Sequence, residues 1–218
     1  TDCSPGFGSV AKYVATSTLE AGLDVKSMSE TSTKVFILEV MGRHAGWIAA
    51  ASALAATKET DPPHIILMPE VPFAKKKFID KVKQTVSSEG FCVVVASEGT
   101  RYKNGMFLAD SGLTDAFGHK QLGGVAPVLA QMISSIGLKN HWAVSDYLQR
   151  SARHISSKTD LDQAYAVGKK AVEFALAGKN AVMPVIKRLS NKPYKWKVES
   201  ASLSKVANVE KTLPKGYI

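Results

Sequence analysis

Cysteine is nearly absent from this sequence: Cys3 and Cys92 are the only two. Two cysteines build no disulfide framework and fit a reducing compartment. No apolar run is long enough to span a bilayer, and the first residues carry no secretory signal pattern. The expected location is the cytoplasm, without a membrane partner. Histidines stand apart, at 44, 64, 119, 141 and 154, so no metal site is expected. There is no Ser-His-Asp set and no aspartate pair, which argues against hydrolysis. No recognition helix, zinc spacing or Gly-aromatic motif is present, so no nucleic-acid partner is expected either.

Acidic residues are also scarce, 19 against 28 basic, giving a net charge of +9. The shortage is sharpest at residues 179–218, with nine Lys/Arg against two Asp/Glu. That stretch reads as a solvated basic face or as an attractor for a small anion.

What is present is an ordinary globular composition, 45% hydrophobic and 22% charged over 218 residues. That length holds one large or two small domains with a real core. Apolar strand-like runs alternate with helical patterns. Strands are expected at 34–40, 64–68, 91–97, 141–147 and 181–189, with a further one at 194–200. Helices are expected at 7–23, 46–57, 73–89, 124–136 and 159–177, and a short one at 202–213. Gly22 reads as the end of the first helix and Gly178 as a left-handed cap of the fifth. Continuous apolar strands separated by single helices predict an α/β fold, a mostly parallel sheet with helices on both faces. One connection, 99–124, is long, polar and rich in Gly and Asp, the pattern of a binding loop or lid.

In such a sheet, ligands bind beyond the carboxyl ends of the strands. The first strand ends in Met41-Gly42-Arg43. Gly42 and Gly46 permit close backbone approach, and the following helix offers free N–H groups to phosphate. Arg43 adds a charged fork, unless it simply turns into solvent. Glu70 follows the second strand between two prolines, rigidly aimed at hydroxyls or merely a surface acid. Asp146-Tyr147-Leu148-Gln149-Arg150, with Arg153 and His154 beyond, is an anion pocket or an exposed basic turn. Together these strand ends suggest a phosphorylated polyol.

The stretches "EVMGRHAGW", "MPEVPF" and "DYLQRSARH" resemble the phosphofructokinase family, most of all its pyrophosphate-dependent members. The likeness runs in order along nearly the whole chain. It implies a phosphotransferase of glycolysis that phosphorylates fructose 6-phosphate at its 1-hydroxyl, with pyrophosphate or ATP as donor. It assigns Met41, Gly42 and Arg43 to the sugar phosphate, Glu70 to its hydroxyls, and Tyr147, Leu148, Gln149 and Arg150 to further contacts. Tyr147 stands where shorter relatives have histidine, and adds a hydrogen bond without a charge. "GHKQLGG" at 118–124 looks similar to the same motif, but Leu122 replaces its arginine and no strand precedes it.

The family's donor loop, magnesium-binding aspartate and catalytic base correspond to nothing in this chain. They are expected upstream of Thr1, since "TDCSPGFGS" resembles the stretch just after the family's Thr-Ile-Asp-Asn-Asp motif and has no strand before it. No catalytic residue is therefore assigned here, Mg2+ is expected on upstream residues, and the isolated chain is expected to be inactive. Residues 1–145 are expected to form the sugar-phosphate domain, with 146–218 returning to the donor side. A non-catalytic sugar-phosphate-binding or regulatory subunit is the alternative outside enzymes. Lys34 matches an arginine that reaches a neighbouring subunit's phosphate, and His141 lies near a second such position. Seven residue steps at about 3.3 Å separate Lys34 from Met41 by roughly 23 Å, too far for a shared ligand within one chain. A homodimer or homotetramer follows.

Overall fold

The computed structural model describes residues 3–114, 120–122 and 124–218. In chain order the elements are helix α1 (Phe7–Met28), strand β1 (Val35–Val40), α2 (Trp47–Ala51), β2 (Ile65–Leu67), α3 (Lys75–Glu89), β3 (Cys92–Ser97), β4 (Asp110–Thr114) and β5 (Lys120–Leu122). They continue with α4 (Val125–Ser134), β6 (Asn140–Val144), α5 (Leu148–Ser151), α6 (Lys158–Leu176), β7 (Val182–Asn191), β8 (Tyr194–Ser202) and α7 (Leu203–Val206). The chain divides into two compact units: Thr1–Lys12 with Ala152–Lys211, and Tyr13–Ser151 with Thr212–Ile218.

The larger unit is built on four parallel strands in the order β2-β3-β1-β6. Every residue of β3 is buried, as a central strand covered on both faces requires. Alternation along the strands separates two apolar faces. Val35, Ile37, Cys92, Val94 and Ala96 pack with Phe78 and Val82 of α3 and Leu129 and Ile133 of α4. Phe36 and Val93 turn the other way, with Val25 of α1 and Phe91. The parallel α/β architecture expected from the sequence is thus observed.

Two expectations change. Gly22 does not end α1, which runs on to Met28. A Cβ there would lie 2.6 Å from the Pro62 side chain, so the glycine permits close packing against the 61–63 turn. The 99–124 connection is not an unstructured loop. Leu108 and Ala109 enter the main core, the Leu108 amide donates to the Thr100 carbonyl at 2.8 Å, and β4 pairs antiparallel with β5. Residues 115–119 and 123, and with them three of the seven residues of the 118–124 motif, lie outside the described residues.

The smaller unit places α6 against the antiparallel β7–β8 hairpin. The amide and hydroxyl of Ser9, in the first turn of α1, both donate to the Asp160 carboxylate at 2.6 Å. A buried aspartate thus satisfies a helix-end N–H that has no intrahelical acceptor. Gly178 takes φ 69 after α6, as the cap expectation required. The basic stretch forms the hairpin, with Lys187, Arg188, Lys195 and Lys197 all exposed.

His64 links packing to pH. Its Nδ1 accepts from the Val93 amide at 2.9 Å, and its ring meets Phe91 edge-on at 5.0 Å. Burial lowers its pKa below 6.5, with nearby Glu89 opposing. The unfolded chain then binds more protons than the folded chain below about pH 6.5, so stability falls as the solution is acidified through that range. We predict that moving from pH 7.5 to 5.5 lowers Tm more in the native protein than in His64→Gln. Equal pH dependence in calorimetry would show that His64 contributes nothing.

Candidate functional site

Strand β1 is paired with β3 up to its last residue, Val40, and with β6 up to Glu39. On one side the ladder closes with the Ser145 amide donating to the Glu39 carbonyl at 2.9 Å. On the other, the Glu98 amide donates to the Val40 carbonyl at 2.9 Å. Met41, Gly42 and Arg43 lie beyond these last rungs. Their peptide groups still need partners, and side chains from both flanking strand ends supply them.

From the β6 side, Gln149 Oε1 accepts from the Met41 amide at 3.3 Å. Its Nε2 donates to the Asp146 carbonyl at 2.9 Å. From the β3 side, Glu98 Oε1 accepts from the Gly42 amide at 3.3 Å, and Ser97 Oγ donates to the Gly42 carbonyl at 2.5 Å. The Arg101 guanidinium donates to the Arg43 carbonyl at 3.3 Å. Gly42 sits at φ 144, where a side chain would be strained, and a Cβ would lie 2.7 Å from Ser97 Oγ. Gly99 is tighter still: a Cβ would fall 2.0 Å from the Arg43 carbonyl oxygen.

The two motifs expected at the strand ends therefore meet, β1 with β6. Within 147–150 the side chains divide. Gln149 is 2% exposed, whereas Tyr147 and Leu148 are 62% and 64% exposed. Arg150 is also exposed and lies over the Tyr147 ring, 4.4 Å from its centroid, a contact that orients the guanidinium. Gln149, expected to touch ligand, instead has both ends of its amide engaged by backbone. Arg43 is half-buried, and its Nε is buried with no hydrogen-bond partner. The Arg101 Nε is in the same condition. A buried guanidinium N–H without an acceptor is costly, and an anionic ligand would relieve it.

Glu70, expected at the sugar hydroxyls, also makes contacts within the chain. Gly46 donates to both its oxygens, at 3.0 and 3.1 Å, and the Leu213 amide donates to Oε1 at 2.8 Å. The carboxylate ties the start of α2 to the 212–218 tail, whose Tyr217 ring lies 6.4 Å from that of Trp47. Lys34 stands at the opposite end of β1, its ammonium donating to the Ser29 carbonyl. His141 pairs with Phe36 in register and is exposed on the edge strand β6. Both lie away from Arg43 along the strand direction. Arg153 and His154 belong to the smaller unit.

The sequence reading overlooked the end of β3. "SEGTR", 97–101, supplies Ser97, Glu98, Gly99 and Arg101 to the loop, and the strand-end rule would have flagged it. It also overlooked Glu39, buried on β1, whose Oε2 accepts from the Ala126 amide at 2.8 Å at the start of α4. Burial raises the Glu39 pKa, the Ala126 hydrogen bond opposes this, and the Glu98 and Asp146 charges add to the rise. Three carboxylates thus lie around a loop that also carries cations.

A sequence model described as Phosphofructokinase matches residues 1–175. The chain is 65% identical to "Pyrophosphate--fructose 6-phosphate 1-phosphotransferase" of Halomonas elongata, covering 100% of this chain and 52% of that protein. It is 58% identical to the protein of the same description from Methylococcus capsulatus, with the same coverage. Among solved structures it matches a pyrophosphate-dependent phosphofructokinase from Marinobacter aquaeolei, with TM-score 0.85 and 61% identity, covering 100% of this chain and 51% of that one. The chain thus spans about half the length of these relatives.

The glycine contacts predict opposite effects of one substitution type. Gly99→Ala forces the 97–101 and 41–43 backbones apart and should lower Tm by several degrees. Gly168→Ala, inside α6 with nothing within 4 Å of the added carbon, should raise stability by about 0.5–1 kcal/mol. Thermal unfolding of both variants checks this, and a neutral Gly99→Ala would contradict the packing.

Proposed function

Because the chain belongs to the phosphofructokinase family, we propose that it forms the acceptor side of a pyrophosphate-dependent 6-phosphofructokinase. The reaction moves a phosphoryl group from pyrophosphate to the 1-hydroxyl of fructose 6-phosphate, giving fructose 1,6-bisphosphate and phosphate. The observation that carries this reading is the meeting of Met41-Gly42-Arg43 with 147–150 at one strand end. It occurs in a chain 65% identical throughout to a protein of that description.

Phosphoryl transfer is dominated by positioning and charge neutralisation. This chain supplies the first and part of the second. Arg150, oriented on Tyr147, and Tyr147 itself bind the 6-phosphate, and Leu148 shields that contact from water. Arg43 gives its free Nε–H to an oxygen of the bound anion, and the Met41-Gly42 backbone lines the sugar. Glu70 accepts from sugar hydroxyls, as the family likeness implies, and Glu98, at the end of a central strand and in contact with Gly42, is a further acceptor. The 1-hydroxyl oxygen bonds to the terminal phosphorus as the bridging P–O bond breaks, and the hydroxyl proton passes to a base outside this chain.

Among the described residues, no group of three or more His, Cys, Asp and Glu is placed to hold a metal ion. The magnesium that the family implies is proposed to sit on residues beyond this chain, and no step is assigned to it. No helix among the described residues is long and apolar enough to cross a membrane, in keeping with a proposed cytoplasmic enzyme.

Arg43→Ala or Arg150→Ala in the full-length protein should raise the fructose 6-phosphate KM at least tenfold. A charge-assisted hydrogen bond of about 1.5–3 kcal/mol sets that scale. The pyrophosphate KM should change much less; the reverse pattern would place these arginines on the donor. Lys34 is proposed to complete a neighbouring subunit's site, assisted by His141, in a symmetric homo-oligomer. Mixing full-length Lys34→Ala and Arg43→Ala subunits then regenerates one intact site per mixed dimer. Activity should exceed both parents, and exchange without recovery would exclude the shared site.

A further inference from the structure

Gln149 is the one fully buried side chain of the 147–150 segment, and it reaches across a strand boundary. Its carbonyl oxygen takes the Met41 amide, and its amide nitrogen takes the Asp146 carbonyl. The β1–β6 ladder ends just before, with Glu39 paired to Val144 and the Ser145 amide on the Glu39 carbonyl. A side-chain amide carries one acceptor and two donors in a plane, so it can replace a peptide group as a rung. Gln149 occupies that position: it extends the ladder by one step through a side chain.

The Leu148 amide closes the turn at Asp146 and Tyr147 by donating to the Ser145 carbonyl at 2.9 Å. Asp146 has φ 36, a left-handed conformation uncommon outside glycine. The Gln149 amide donates to the carbonyl of that same residue. At its other end it grips the first residue of the Met41-Gly42-Arg43 loop.

Building on the proposed function, we infer that Gln149 is the positioning residue that fixes Arg43 and Arg150 at a set separation. It touches no substrate. It couples the two loops that grip the sugar phosphate, so that both arginines face one ligand. Its removal frees the β6 loop from the β1 loop and leaves the Met41 amide and the Asp146 carbonyl without their partner. Glu98 and Ser97 hold the other flank of the same loop.

Two substitutions in the full-length protein separate this role from simple space filling. Gln149→Met keeps the length and removes both hydrogen bonds. The fructose 6-phosphate KM should rise about tenfold, with the pyrophosphate KM and kcat within about twofold. Gln149→Glu keeps the acceptor, and donates to the Asp146 carbonyl only while protonated, a form that burial favours. Its KM relative to the native enzyme at the same pH should be near one in acid and grow as the carboxyl ionises. A space-filling role predicts no such pH dependence. A native KM in Gln149→Met, or a flat ratio in Gln149→Glu, overturns the inference.

Hydrogen exchange at the Met41 amide decides the matter without catalysis. It should quicken about tenfold in Gln149→Met while Val94, in the central strand, keeps its protection. Unchanged Met41 exchange overturns the clamp. If Gln149→Met also loses protection at Val94, the same comparison is read in Gln149→Glu between acid and neutral pH. A native enzyme that fails to phosphorylate fructose 6-phosphate sinks the proposed function instead, and Met41 exchange still tests the clamp.

Discussion

Peptide groups just past the end of a buried parallel strand have lost their ladder and cannot be left unpaired. Everything at this site follows from how Met41, Gly42 and Arg43 meet that requirement. A helix starting at once would pair their carbonyls but not their N–H groups, and α2 begins only at Trp47. Side chains from the two neighbouring strands meet the requirement instead: Gln149 from one flank, Glu98 and Ser97 from the other, and Arg101 at the Arg43 carbonyl. Such a loop is rigid without being regular. That rigidity is what a site needs when most of its chemistry is positioning.

Close packing and charge act on the same few residues. Gly42 and Gly99 let two loop backbones approach closer than any side chain permits. The carboxylates of Glu39 and Glu98 lie near enough to influence each other, and Glu39 also anchors the start of α4 through Ala126. Two arginine Nε atoms remain buried without acceptors. The loop is thus closed towards the protein by hydrogen bonds, while its guanidinium groups keep donors in reserve.

The fold was largely legible in the sequence because its signal is burial. VFILEV and CVVVAS are continuous apolar runs, and both became inner strands of the sheet. HWAVSDY also reads as a strand, although β6 stops at Val144 and the chain turns at Asp146 and Tyr147. Local pattern says least where one residue type serves two purposes. Gly22 reads as a helix stop, yet it is a contact with Pro62. Glu70 between prolines reads as an aimed ligand, and its oxygens also meet Gly46 and Leu213. The Leu213 partner lies 143 residues away, and no local pattern reports it. Gln149 reads as part of a binding motif, and only the folded chain distinguishes the inward glutamine from its outward neighbours.

The central claim is that the loops after β1 and β6 grip one sugar phosphate. A crystal structure of the full-length protein with fructose 6-phosphate tests it most directly. The account predicts the 6-phosphate within hydrogen-bond distance of Arg150 and an anionic oxygen on Arg43 Nε, with Gln149 still on the Met41 amide. Fructose 6-phosphate bound elsewhere, with the Arg43 Nε still lacking an acceptor, would contradict it.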